Sequence, residues 1–151
     1  MKFKHGTRRR AAEYEKDWVQ RWKDDDTFNK SIAQRPADNS WVFYDGPPFL
    51  TGTPHHGHLL VSTVKDTMGR FHTMKGQRVE RRWGWDCHGL PAEVYVEKAL
   101  GISNKKEIGT KISVSDYVKE CRAAMVRTGT EWEDTIERIG RWVEFKGAYK
   151  T

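Results

Sequence analysis

The sequence predicts an α/β fold, a parallel strand-helix-strand unit with an amino-terminal helix before it and a helical final third after it. Three observations carry that prediction. The run Trp41-Val42-Phe43-Tyr44 is short, continuous and apolar, as a buried strand requires. Beyond a loop bearing Gly and Pro, Val61, Val64, Met68 and Phe71 recur at helical spacing as one apolar stripe. Gln77 to Trp83, with Val79 between charged neighbours, reads as a second strand, which completes a unit of the parallel type.

In chain order, Ala11, Tyr14, Trp18 and Trp22 recur every three or four residues, so the first segment is a helix, ending near Asp26, with Asp17 and Arg21 able to pair on its wet face. From Asn29 to Ser40 the chain turns polar around Pro36 and Asn39, a linker. This sets a boundary: residues 1–40 form an amino-terminal helix and linker, and residues 41–151 a single α/β unit. Asp45-Gly46-Pro47-Pro48 must break the first strand, and Thr51, Gly52, Thr53 and Pro54 carry the chain to His55. The helix that follows runs from His58 to Lys75, with Lys75 at its negative end and Gly76 as its cap. Pro91 suits the start of a further short helix and Gly101 its end. Ser113 with Asp116, and Thr130 with Glu133, fit capping boxes before helical spacings of Tyr117, Cys121 and Met125, and of Trp132, Ile136 and Ile139. The last third therefore reads as helical, either one bent helix or two.

The 151 residues suffice for one domain with a real core. At 36% hydrophobic, 32% charged and 12% aromatic, the chain is too aromatic for disorder and too charged for a membrane protein. A net charge of +6 suits a polyanionic partner such as nucleic acid, and equally suits a solvated basic surface. Cys87 and Cys121 form no C-x-x-C pair and have no histidine at finger-like spacing, which argues against a disulfide framework or structural zinc and for reduced, buried thiols. Met1 to Trp22 is Arg-rich but carries Glu13, Glu15 and Asp17 and has no apolar core, unlike a targeting peptide. No run reaches membrane-spanning length, so the expected compartment is the cytoplasm.

The chemistry lies between Asp45 and His58. Here a Gly and three imidazoles stand where a strand-following loop becomes a helix N-terminus, a place where free N–H groups and the helix dipole favour phosphate. Gly57 lets a base or a phosphate approach the backbone, and His55 and His58 can donate hydrogen bonds to phosphate oxygens as charge builds up during nucleotidyl transfer. No general base is needed where the attacking group is already a carboxylate. Three histidines in four residues also fit a metal cluster or a run of surface polar residues. No carboxylate or cysteine follows on the same helical face until Asp66, which weighs against the metal.

The H-x-G-H signature at His55 to His58 is preceded by Asp45-Gly46-Pro47-Pro48 and followed by Gly84-Trp85-Asp86-Cys87-His88-Gly89-Leu90-Pro91. In order and spacing it resembles the ATP site of class I aminoacyl-tRNA synthetases, specifically the isoleucyl-tRNA synthetases. Arg138 to Phe145, with Tyr149 to Thr151, is similar to the stretch before the editing insertion of that family. The resemblance implies that residues 41–151 are the first half of a Rossmann-like catalytic domain. It implies that His55, Gly57, His58 and Thr51 bind ATP, with the two imidazoles acting at the α-phosphate. It further implies that Asp86 receives the amino-acid ammonium, that Pro47 lines the side-chain pocket, and that Trp85 and Cys87 shape nearby packing. ATP, Mg2+, isoleucine and tRNA(Ile) are the expected ligands and partners.

The family's second signature, a Lys-Met-Ser-Lys-Ser loop, does not occur. Lys111-Ile112-Ser113-Val114-Ser115 imitates it, but too early and at a helix start. The editing insertion and anticodon helices are also absent. The former matters because one methylene is worth only about 1–3 kcal/mol in an apolar pocket, a limit for which isoleucyl enzymes are themselves the usual illustration. The chain therefore reads as an amino-terminal piece of an isoleucine–tRNA ligase. The alternatives are a non-catalytic nucleotide- or tRNA-binding module, or another H-x-G-H nucleotidyltransferase. An uncovered half-sheet should leave an apolar face open to self-association.

Overall fold

In the computed structural model, which describes residues 8–49, 53–126 and 130–151, the chain runs through six helices and two strands. These are α1 (Ala11–Asp24), α2 (Thr27–Ala33), α3 (His56–Met74), β1 (Arg82–Trp85), α4 (Leu90–Ala99), α5 (Val114–Val126), α6 (Thr130–Arg138) and β2 (Glu144–Lys150), with a 3-10 turn at Lys105–Glu107 between α4 and α5. Among the described residues no helix is long and apolar enough to cross a membrane.

Helix α1 forms on its expected spacing and complements its dipole, with Glu13 in the first turn and Arg21 and Lys23 in the last. Asp17 pairs with Arg9 rather than with Arg21, which turns instead to Asp25. The expected linker is in part a helix. Asp26 adopts the left-handed conformation (φ +48°), which breaks the rod, and α2 starts on the next residue. The Asp26 carboxylate accepts a hydrogen bond from Asn29 Nδ2 at 2.7 Å.

The strand expected at Trp41–Tyr44 does not form a ladder. Residues 40 and 49 each make an isolated parallel bridge, Ser40 to Arg78 and Phe49 to Asp86, and the stretch between them forms no bridge, with Val42 and Tyr44 exposed. Pro47 and Pro48 supply no N–H to a ladder, so the arm is extended and parallel without being a strand. The second strand is shifted: β1 covers Arg82–Trp85, although Val79 is fully buried as expected of that run. The final third is not wholly helical. After α6 the chain returns as β2, parallel to β1, with Arg82 opposite Glu144 and Trp85 opposite Lys150. β2 carries an irregularity between those points, where Gly147 takes φ +76°.

The central core is aromatic: Trp83, Trp85, Ala92, Met125, Trp132 and Ile136 pack together, and Val96, Ile102 and Tyr117 form a second cluster under α4 and α5. Trp132 is within 6.0 Å of Trp83 and 6.2 Å of Trp85, centroid to centroid, which fastens α6 to β1. Pro91 stands in the first turn of α4, Gly101 is left-handed after its end, and Ser113 Oγ accepts from the Asp116 amide at 3.0 Å to cap α5. The Thr130 box lies outside the described side chains. Cys87 and Cys121 are free thiols and only half-buried.

Helix α3 inverts its expected packing. The apolar stripe of Val61, Val64, Met68 and Phe71 is exposed, while the opposite face buries Ser62, Gly69 and Thr73. These small residues let polar partners come close. Arg81 reaches Thr73 Oγ1 at 2.8 Å, the Trp142 amide reaches Asp66 at 3.0 Å, and Arg141 reaches Ser62 at 3.2 Å. Gly76 closes the helix with φ +86°, as its sequence position predicts.

Candidate functional site

The N-terminus of α3 is capped by two histidines. His55 is extended and its Nδ1 accepts from the Gly57 amide at 3.2 Å, while His58 Nδ1 accepts from the His55 amide at 3.2 Å. An Nδ1 that accepts a hydrogen bond carries no proton itself, so in each ring the N–H is on Nε2. The rings stack at 3.6 Å, and His58 also leans on Trp132 at 4.8 Å. Burial first, and the neighbouring His55 second, hold His58 below the ordinary histidine pKa. The cap therefore presents Nε2–H donors at the positive end of a 19-residue helix. Gly57 has a structural reason as well as the expected one, since a Cβ there would meet the His55 ring at 3.0 Å.

His58 and Pro47 share one cavity of about 290 Å³, walled by Gly46, Trp83, Trp132 and Arg141. Asp86 lies beside that cavity rather than in its wall. Its amide donates to Pro48 O at 2.9 Å, and its carboxylate accepts from Thr151 Oγ1 at 3.1 Å, with no ion pair to a described side chain. Trp85 belongs to the buried core, and Cys87 is held by its amide to Thr151 Oγ1. Thr51 lies outside the described residues. The structure thus gathers His55, Gly57, His58 and Pro47 at one place, with Asp86 one hydrogen bond away.

Sequence reading missed what anchors this arrangement. The Asp45 side chain is withdrawn from solvent and binds both Lys65 of α3 and Arg141 of the α6–β2 loop, and the Asp45 carbonyl accepts from Tyr149 OH at 2.6 Å. Larger hollows of about 540 and 790 Å³ lie elsewhere, one beside Cys87 and Cys121 and one between α1 and α6. Neither touches His55, His58 or Pro47, so the smaller cavity is the candidate site. Burial raises both thiols, which argues against a nucleophilic cysteine at the former. No three His, Cys, Asp or Glu side chains converge among the described residues.

Comparison with known proteins shows the family of the chain. A sequence profile described as tRNA synthetases class I (I, L, M and V) matches residues 17–151. The chain is 48% identical over 140 residues to an isoleucine--tRNA ligase of Treponema denticola, covering 93% of this chain and 13% of that protein. It is 49% identical over 133 residues to isoleucine--tRNA ligase 2 of Pseudomonas fluorescens, covering 88% and 13%. The chain thus spans about an eighth of the length of these relatives. Among solved structures, the LeuRS of a ternary complex with tRNA and LeuAMS from Agrobacterium radiobacter K84 shares the fold, with a TM-score of 0.58 at 19% identity, over 91% of this chain and 15% of that one. The H-x-G-H cap at the start of α3, the parallel β1–β2 pair and the profile match across residues 17–151 have one common source: the chain belongs to the class I tRNA synthetases of the I, L, M and V group.

Proposed function

We propose that this segment supplies the nucleotide and amino-acid half-site of an isoleucine–tRNA ligase. In the reaction, the isoleucine carboxylate attacks the α-phosphorus of ATP, a new C–O–P linkage forms, and the bond to the departing pyrophosphate breaks. Charge grows on the α-phosphate oxygens, and preset Nε2–H donors on His55 and His58 stabilise it without reorganisation. Gly57 and Thr51 complete the ATP contacts, the Asp86 carboxylate takes the ammonium, and Pro47 bounds the side chain. The observation that carries this reading is the two-histidine cap opening beside the Pro47 cavity. Magnesium would enter with ATP, held chiefly by the phosphates and water, and would neutralise charge on them. Transfer to tRNA(Ile), a cytoplasmic setting, a boundary near residue 40 and self-association through the uncovered half-sheet complete the proposal, and the exposed apolar face of α3 offers a second surface for such association.

The test is exchange of labelled pyrophosphate into ATP by the purified chain, run with isoleucine, valine and leucine in parallel. Exchange that needs isoleucine and disappears in His58→Ala is the expected result. Its absence would overturn activation by this chain and favour a second reading, a binding module without catalysis. That reading draws on the lack of a Lys-Met-Ser-Lys-Ser loop anywhere in the 151 residues.

A further inference from the structure

We propose that Asp45 is a positioning residue, the hub that fixes the Gly46–Phe49 arm against α3, β1 and β2 and thereby sets the width of the Pro47 cavity. The inference rests on the half-site reading only for what fills that cavity. Asp45 does not line the cavity, whereas Gly46, Pro47, Lys65, Ser62 and Arg141, which it organises, all do. One carboxylate oxygen binds Lys65 and the other binds Arg141, and all three side chains are largely or wholly withdrawn from water. Lys65 Nζ reaches on to Gly46 O at 2.9 Å. Arg141 reaches on to Ser62 at 3.2 Å and lies 5.1 Å from the centroid of the Trp83 ring in the cavity wall. From β2, Tyr149 OH holds the backbone of Asp45 itself at 2.6 Å, and the Asp86 amide holds Pro48 O at 2.9 Å.

Four separate segments therefore converge on an arm that has no ladder of its own between Ser40 and Phe49. An extended stretch with Gly and two prolines has no regular hydrogen-bond pattern to fix its height above the sheet, so side chains must do it. Asp45 is the single residue that meets three of the four: Lys65 and Arg141 through its carboxylate, and Tyr149 through its carbonyl. The Tyr149 ring in turn lies against Gly84, where any Cβ would overlap it, so the tether is anchored to β1 as well.

Amide hydrogen exchange of the chain tests the proposal without any ligand. The Asp86 amide reports on the arm through Pro48 O, and the Glu144 amide, bonded to Arg81 O at 2.8 Å, reports on the sheet alone. Tyr149→Phe removes one hydrogen bond from Asp45 and should speed Asp86 exchange roughly fivefold with Glu144 unchanged. Asp45→Asn should exceed that. Should Asp45→Asn fail to fold, Tyr149→Phe alone decides, and an Asp86 rate unchanged from the parent, or equal acceleration at Asp86 and Glu144, overturns the proposal. Titrations with isoleucine and ATP form the second arm. Weaker isoleucine binding with ATP binding intact in Tyr149→Phe supports the role, and unchanged isoleucine binding despite fast Asp86 exchange overturns it. A parent chain that binds no isoleucine defeats the half-site reading instead, and the exchange rates still settle the hub.

Discussion

His58 Nδ1 serves as acceptor for the His55 amide, so a proton placed on it breaks the cap it helps to form. Burial and the neighbouring imidazole already hold its pKa below 6.5 in the folded chain. The unfolded chain therefore takes up the proton first. Stability is fully present above pH 6.5 and is lost as pH falls through 6.5 towards the lower folded value. His58→Asn keeps an acceptor near the Nδ1 position and cannot be protonated. Urea midpoints at pH 7.5, 6.5 and 5.5 should fall more steeply for the parent than for His58→Asn, and parallel curves would refute the coupling. At this scale the site was partly legible. The H-x-G-H spacing announced His55, Gly57 and His58 as candidates, and Asp45-Gly46-Pro47-Pro48 announced a break in regular structure. That the imidazoles cap the helix through Nδ1 is a matter of side-chain rotation that spacing does not encode. Asp45 was quoted as a strand breaker, because its partners Lys65, Arg141 and Tyr149 are remote in sequence and give no local signal.

Helices and strands were legible where a local period governed them, as in α1 and α5, or where end signals did, as Pro91 and Gly101 did for α4. They were misread where a partner remote in sequence decided. β2 holds Gly147 and exposes most of its residues, so it has no alternation to betray it, and parallel pairing to β1 alone makes it a strand. The Trp41–Tyr44 run has the composition of a strand but is followed by residues that cannot continue a ladder. In α3 the apolar stripe drew attention away from a second stripe of Ser62, Lys65, Asp66, Gly69 and Thr73, which is the face that packs. Gly69 is the tightest point on it. Arg81 crosses directly over Gly69 while 95% withdrawn from solvent, with Nε and Nη1 unpartnered, and burial pushes its pKa down to about 10. A methyl group at 69 has to displace a guanidinium held by Thr73 at 2.8 Å. Gly69→Ala should therefore cost about 1–3 kcal/mol in urea unfolding, as overpacking does. In an Arg81→Leu background, where the side chain stops short of the collision and the unpaired cation is gone, the same substitution should cost much less. Equal costs in the two backgrounds would show that the contact does not govern the packing of α3.

For the molecule as a whole, the outcome of α3 is an outer face it would not choose in isolation. Leu60, Val61, Val64, Met68 and Phe71 are each between 42% and 67% exposed and follow one another along consecutive turns. Scattered apolar residues need no explanation, but a contiguous row along one helix behaves as an unpaired interface. The row forms because hydrogen bonds and ion pairs from Asp45, Arg81 and Arg141 hold the polar face inward, and exchanging the two faces would strand those buried charges. A second copy can meet this row with its own, so we expect two-fold association. The weight-average mass in sedimentation should rise with protein concentration, against a net charge of +6 that opposes it and more so at low salt. Val64→Glu with Met68→Lys places an ion pair at the favourable i, i+4 spacing in the middle of the row, without touching Ser62, Gly69 or Thr73. That double variant should sediment as a monomer and keep the parent's urea midpoint at low concentration. A parent that stays monomeric at every concentration reached, or a double variant that unfolds, would mean that the row is not an interface between copies.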